Sequence, residues 1–384
     1  MQTAARLLSK PFPAPPRGSR FLRLGRPFEL YRGGRLSDVE IAYETWGELN
    51  AARDNAVLLF TGLSPSAHAA SSCRDSSPGW WEYMIGPGRP LDTRRFHVIC
   101  INSLGSCFGS SGPASPHPHD GEPYRLRFPR LALEDVAKAG IELIDALGID
   151  RLAAVVGPSM GGMSALAFAF MAPWRSRTLA LLCSSATASP HAIAMHALQR
   201  EMVLSDPAWA EGEYPLEAGP VNGMRLARKL GLSCYRSPGE WLERFGRRRT
   251  VSAHDADDDF GAEFEVESYL DHNAAKFATG FDANCFLYLS CAMDDFDPAE
   301  HADGDFSAAF ACLQIERALV VGVSSDTLFP VAEQRDLAAA LEPGCENGVH
   351  FVELGSIQGH DAFLIDEARF APVMRGFFSG LAPA

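Results

Sequence analysis

The stretch RLAAVVGPSMGGMSALAFAF, residues 151–170, decides the fold. Its continuous apolar run at 152–156 predicts a strand buried on both faces. The run breaks at Gly157 into Pro158, Ser159, Met160, Gly161 and Gly162, after which a helix of small residues begins. Gly157 and Gly161 fill the outer positions of G-x-S-x-G, where a sharp turn leaves no room for a Cβ against the neighbouring strand and helix. Such a turn lifts Ser159 Oγ clear of the sheet. It also aims the Met160 N–H, at a helix N-terminus, toward the oxygen of a carbonyl that Ser159 attacks. Taken alone the motif also suits a tight turn with a chance serine, and the flanking strand and helix argue against that.

Working outward, the short apolar runs AVLLF (56–60) and FHVICI (96–101) read as buried parallel strands, and TLALLC (178–183) as another. The loop TGLSPSAH (61–68) follows the first of these, at the strand end where open α/β sheets place their sites. The glycine-rich loop at 102–112 is too long for a mere connection and is expected to line the same crevice. Upstream, residues 21–47 show period-two alternation with a hairpin loop at 32–35, which suits an antiparallel edge on the larger sheet. Leu133, Val136, Gly140, Ile144 and Leu147 recur at helical spacing, and Gly148 stops that helix.

From 186 to 310 the pattern is helical, with acidic loops such as 255–259 and no convincing core strand. Strand character returns in ALVVGV (318–323), followed by a helix at 331–341, a strand at 349–354 and a last helix at 366–378. The expected organisation is therefore an N-terminal extension at 1–20 without fixed structure, an α/β core at 21–185 and 311–384, and a helical lid at 186–310.

A nucleophilic serine needs a base, and the base needs an orienting acid. In the order Ser, Asp, His, each sits just after a strand at the C-terminal edge of the sheet. Asp326 follows ALVVGV and His360 follows FVEL, separated by one helix and one strand. Alone, Asp326 is as good an N-cap for the next helix, and His360 a surface-loop histidine. All three at matching strand ends point to a catalytic triad.

Composition limits the rest. With a net charge of −14 over 384 residues, nucleic acid and anionic membranes are poor partners, and an anionic substrate needs a local basic cluster. Nine cysteines without C-x-x-C spacing, several inside apolar runs (Cys100, Cys183, Cys312), read as reduced core residues in a reducing, cytoplasmic compartment. No apolar run approaches a membrane span. The basic, proline-containing first twenty residues lack a secretory apolar centre, leaving a short extension or a transit peptide. His117, His119 and Asp120 cannot fix a metal coordination sphere from one loop, so no metal is expected.

Beyond these patterns, several longer segments stand out: FTG at 60–62, GWWE at 79–82, GSSGPAS at 109–115, GPSMGGM at 157–163, ARKLGLSCYRS at 227–237, FDANCFLYLSCAMD at 281–294 and GHDAFL at 359–364. On them the chain resembles the homoserine O-acetyltransferase family, acyl-CoA-dependent members of the α/β-hydrolase superfamily, over nearly its whole length after the N-terminal extension. The resemblance implies an α/β-hydrolase fold, with a mostly parallel central sheet flanked by helices and an inserted helical lid. It makes Ser159, Asp326 and His360 the triad, with Met160 and the backbone of Phe60 as oxyanion donors. Arg228 and Tyr235 would help form the substrate and acyl site, and Asp361 would receive the substrate's amino group.

Three departures from the family pattern matter: Ser64-Pro65-Ser66 intervene before Ala67-His68, the usual G-G-C reads Gly105-Ser106-Cys107, and Cys291 replaces an arginine. With these the chain looks like the branch that succinylates L-serine. What this implies is a ping-pong transfer from succinyl-CoA, a co-substrate, with no permanently bound cofactor. Homoserine acylation with acetyl or succinyl donors, and a plain esterase, are the alternatives. Whether Arg228 grips the carboxylate of serine or of succinate is open. Arg247, Arg248 and Arg249 fit either coenzyme A phosphates or a solvated basic helix end. A homodimer with the lids in contact is also implied.

Overall fold

The computed structural model describes residues 13–250 and 262–381, so the acidic loop at 255–259 and the first twelve residues lie outside the described residues. The strands are β1 (Arg20–Arg23), β2 (Phe28–Glu29), β3 (Arg35–Leu36), β4 (Glu40–Trp46), β5 (Ala56–Phe60), β6 (Ile85–Gly86), β7 (Leu91–Asp92), β8 (His97–Ile101), β9 (Ala154–Pro158), β10 (Thr178–Leu182), β11 (Arg317–Val323) and β12 (Val349–Leu354). The α-helices are α1 (Leu133–Ala146), α2 (Met160–Met171), α3 (Pro190–Leu204), α4 (Val221–Tyr235), α5 (Pro238–Arg244), α6 (Glu265–Ala278), α7 (Ala283–Asp295), α8 (Phe306–Ala311), α9 (Val331–Leu341), α10 (Ala362–Ile365) and α11 (Glu367–Ser379).

Among the described residues, one eight-stranded sheet runs β1-β4-β8-β5-β9-β10-β11-β12. The pairs β1/β4 and β4/β8 are antiparallel and every later neighbour is parallel. The apolar runs of β5, β9, β10 and β11 are continuous because both faces of the sheet are covered. Leu58, Phe60, Val155, Leu179, Leu181 and Val320 pack into the larger core, with α1, α2 and the helical block. Their alternates Val57, Leu59, Val156, Leu182, Leu319 and Val321 pack into a second core with Trp81, Phe370 and Phe378. This two-sided burial keeps the strand ends, and hence the loops after them, in fixed register.

Three expectations are corrected here. Residues 13–20, placed in the extension, have defined structure: Arg20 pairs with Tyr43, and a Cβ on Gly18 would come within 2.6 Å of the buried Glu44 carboxylate, which would have to shift. The hairpin β2/β3 forms its own two-stranded ribbon; the antiparallel edge of the main sheet is β1 with β4. Cys312 is exposed, since it lies at the C-cap of the short α8 and not inside an apolar strand, whereas Cys100 and Cys183 are buried. All nine cysteines are free.

Helices α3 to α8 fall between β10 and β11 in the chain and cover the C-terminal ends of the parallel strands. Among the described residues no helix is long and apolar enough to cross a membrane, and no group of three or more His, Cys, Asp or Glu side chains is placed to hold a metal ion.

Candidate active site

Strand β9 runs through Gly157 and Pro158, two residues beyond the expected break, so the whole reversal falls on Ser159, with φ 56° and ψ −130°. A non-glycine residue in this region is strained and is held there by its surroundings. The Ser159 N–H donates to Leu182 O at 2.9 Å and its carbonyl accepts from Ser184 Oγ at 2.9 Å. The flanking glycines are steric requirements: a Cβ on Gly157 would lie 2.0 Å from Gly161 O, and one on Gly161 2.4 Å from Phe60 O. Met160 is the first residue of α2, so its N–H has no partner one turn back and points out of the helix end.

Asp326 and His360 arrive from the loops after β11 and β12. His360 Nε2 is 2.8 Å from Ser159 Oγ, and Nδ1 is 2.8 Å from Asp326 Oδ2. Asp326 Oδ1 accepts from the N–H groups of Leu328 and Phe329, both at 2.9 Å, which fixes the carboxylate within its own turn. It is not the N-cap of α9, where Pro330 stands. His360 is buried, ringed by Phe329, Phe363 and Tyr235 at 5.4, 5.8 and 5.9 Å between centroids. Burial works against a charged imidazole, yet the charge and hydrogen bond of Asp326, with the charge of Asp361, hold its pKa above the ordinary histidine value.

Ser159 and His360 open onto a cavity of about 110 Å³. Its wall also carries Arg228, Tyr235 and Asp361, so the structure brings these three together with the serine. The Arg228 guanidinium lies over the rings of Phe277 at 4.7 Å and Tyr235 at 5.6 Å, with its Nε buried and without a hydrogen-bond partner among the described residues. Burial raises the pKa of the Tyr235 phenol, keeping it neutral. Asp361 Oδ2 is 3.2 Å from Arg236 Nε, a neighbour the motif reading overlooked. The C-terminal end of α4 is stitched to the loops that carry Asp326 and His360: Gly359, at φ +67°, would place a Cβ 2.6 Å from Tyr235 O, and Thr327, next to Asp326, donates Oγ1–H to Cys234 O at 2.9 Å.

Gly62, Leu63, Ser64 and Pro65 also line the cavity. Phe60 itself is fully buried at the end of β5, its ring 6.2 Å from Phe168 and against Gly140, so its side chain does not reach the site. The loop at 102–112 contributes nothing to the wall; its serines instead tie β4 to β8, with Ser110 Oγ donating to Asn102 O at 2.6 Å and accepting from Ala42 N at 2.9 Å. That corrects the expectation that it lines the crevice. Cys291 is exposed and away from the cavity. Arg248 is paired with Glu265 at 2.7 Å and Arg249 with Glu263, while Arg247 lies over Phe264, so this basic end is answered by local groups. His117 and Asp120 approach each other at 3.9 Å on the surface.

Sequence reasoning missed His196, Gln199, Phe286 and Met293 on the same wall. His196 and Gln199 share a face of α3 by their spacing, but the partner that fixes His196, Asp294, is 98 residues away and nothing local announces it.

Known proteins resemble this chain over most of its length. A family model described as alpha/beta hydrolase fold matches residues 55–366. The chain is 56% identical over 364 residues to the serine O-succinyltransferase of Litchfieldella anticariensis, covering 95% of this chain and 99% of that protein. It is 52% identical over 370 residues to the L-serine/homoserine O-acetyltransferase of Streptomyces lavendulae, covering 96% and 99%. The crystal structure of homoserine O-acetyltransferase from Bacillus anthracis superposes with a TM-score of 0.85 at 25% identity, over 95% of this chain and 99% of that one.

Proposed function

The chain belongs to the α/β-hydrolase fold family and, within it, to the homoserine O-acetyltransferase family of enzymes, and we propose that it moves a succinyl group from succinyl-CoA to the hydroxyl of L-serine. The observation that carries this reading is the shared cavity: a nucleophilic serine, a half-buried guanidinium whose buried Nε–H is unsatisfied among the described residues and a carboxylate suit an acceptor that is a zwitterionic amino acid. The relatives' names supply the serine and the succinyl group.

In the first step His360 takes the Ser159 hydroxyl proton as Oγ attacks the thioester carbonyl. The Met160 and Phe60 N–H groups receive the developing oxyanion. Collapse breaks the C–S bond, and the coenzyme A thiolate leaves with the proton held by His360. In the second step L-serine enters and His360 takes its hydroxyl proton. Its oxygen attacks the succinyl-enzyme, and Ser159 regains the proton as O-succinyl-L-serine departs. An unprotonated α-amine would be the better nucleophile, so the site must keep it charged; Asp361 provides the counter-charge. Arg228 offers a planar fork to a carboxylate, which a lysine could not match. No permanently bound cofactor is needed, because the thioester supplies the activated acyl group.

Homoserine is the competing acceptor and acetyl the competing donor, a reading favoured by the Streptomyces lavendulae relative's name. Against homoserine stands the loop Gly62, Leu63, Ser64 and Pro65 on the cavity wall, which shortens the space for the acceptor, with φ fixed at Pro65. Succinate is a better leaving group than hydroxide, which fits a product destined for displacement by sulfur in cytoplasmic cysteine biosynthesis. The assembly proposed is a homodimer through the lids, where Leu198, Leu226 and Leu242 are exposed.

Intact-protein and peptide mass spectrometry after mixing with succinyl-CoA tests the first step. A succinyl adduct on Ser159, absent in Ser159→Ala and discharged by L-serine, is the expected result. An adduct on another residue would remove Ser159 from its role.

A further inference from the structure

Glu240, on the short helix α5, is a buried carboxylate to which the two-step mechanism gives no task. Its Oε2 is buried without a hydrogen-bond partner among the described residues, and a charge so placed needs a cation nearby. Two arginines answer Oε1: Arg244 Nη1 at 3.3 Å, with 45% of its side chain exposed, and Arg236 Nη1 at 3.8 Å, with 13% exposed. Arg236 also lies 3.2 Å from Asp361, Nε to Oδ2, so it stands between a carboxylate of the helical block and one on the cavity wall. Its Nε–H makes no hydrogen bond among the described residues, so it acts on Asp361 through charge and not through a directed bond.

This arrangement is fixed against the loop that carries His360 and Asp361. Ser237 Oγ accepts from Glu240 N at 3.1 Å and donates to Ile357 O, and Arg236 Nη1 donates to Gln358 Oε1 at 3.4 Å. The start of α5 and the histidine loop therefore hold one another in place, and the three charged groups with them.

The charge balance gives Glu240 a role, which rests on the serine acyltransferase reading above, where Asp361 receives the ammonium of the acceptor. Faced by Arg236 alone, Asp361 would be neutralised and would offer an incoming ammonium little attraction. With Glu240 behind Arg236, two carboxylates stand against one guanidinium, and the group keeps a net negative charge. Arg244 weighs less in this balance, because solvent screens it. We propose that Glu240 is a positioning residue for the acceptor: by engaging Arg236 from the α5 side, it leaves the charge of Asp361 free for the ammonium of L-serine. Asp361 lines the cavity and Glu240 acts through it.

The test combines steady-state kinetics with L-serine and the burst of coenzyme A released from succinyl-CoA without acceptor. It compares the parent, Glu240→Gln, the double variant Glu240→Gln/Arg236→Gln, and Arg244→Gln. Glu240→Gln keeps the shape and deletes the charge, so KM for L-serine should rise roughly 10-fold while the burst rate and kcat stay near those of the parent. Deleting the guanidinium as well leaves Asp361 charged and unopposed. The double variant should thus recover much of the loss, which a merely structural Glu240 would not allow. An unchanged KM for L-serine in Glu240→Gln, or no recovery in the double variant, overturns the proposal. If melting shows that Glu240→Gln does not fold, the more exposed Arg244 decides: with a competitor for Glu240 gone, Arg244→Gln should lower KM for L-serine about 2–3-fold. A rise or no change there overturns the proposal equally. A parent whose coenzyme A release L-serine does not accelerate refutes the serine acyltransferase reading and this inference with it; a working parent with parent-like variants refutes the inference alone.

Discussion

His360 shows what a single residue's surroundings dictate. It must be neutral to accept a proton, and the net effect of Asp326 and Asp361 against its burial is a raised pKa. Activity should therefore be lost as pH falls through that raised value, so the acidic limb of kcat/KM against pH is expected above the ordinary histidine value of about 6.5. Asp361→Asn removes one of the charges that raise it, and should move that limb to lower pH as well as weaken serine binding. A limb that stays in place in the variant would detach Asp361 from His360. Asp326→Asn, which disturbs the tautomer and the charge together, should cost about a thousandfold or more in kcat, as should Ser159→Ala, because the three side chains act as a unit. These residues were legible in the sequence because each follows a strand end, where local pattern fixes position. His196 was not: its orientation comes from Asp294 and Arg200, contacts that only the packing of α3 on α7 creates.

The elbow between β9 and α2 is the element on which the site depends, and its glycines make steep predictions. Gly161→Ala must push a methyl into the backbone carbonyl of Phe60, 2.4 Å away, so either the elbow or β5 has to move. A loss of about 3 kcal/mol or more in stability, together with loss of activity, is expected from denaturant melts and turnover. Gly376→Ala is the control: it lies within α11 with nothing within 4 Å of the added Cβ. It should be neutral or stabilising by about 0.5–1 kcal/mol through helix propensity. A benign Gly161→Ala would mean that the turn has slack the steric argument denies. The elbow was readable because G-x-S-x-G lies between a buried strand and a helix. The ribbon β2/β3 was read as part of the main sheet, since alternation reveals a strand without naming its neighbour.

At the scale of the whole molecule the helical block decides what reaches Ser159. Its footing includes Tyr214, whose hydroxyl donates to Asp282 Oδ2 at 2.8 Å and accepts from Asn284 N at 2.9 Å at the start of α7. Tyr214→Phe removes both of these buried hydrogen bonds and should cost about 1–3 kcal/mol, read as a lower melting temperature. Sedimentation equilibrium should give a dimer; a monomer would remove lid contact from the proposal. The helical stretch between β10 and β11 was legible as a gap between core strands, whereas its seating on the sheet depends on contacts from α4 to the loops carrying Asp326 and His360 that no local pattern encodes. The central claim is that this enclosed site passes a succinyl group to serine and not to water. Initial rates of coenzyme A release from succinyl-CoA, with no acceptor, with L-serine and with L-homoserine, test it most directly. Rapid steady release with L-serine, slow release without acceptor, and kcat/KM favouring L-serine over L-homoserine by roughly 10–200-fold for one methylene are the expected results. Equal rates with and without L-serine, or a preference for L-homoserine, would contradict it.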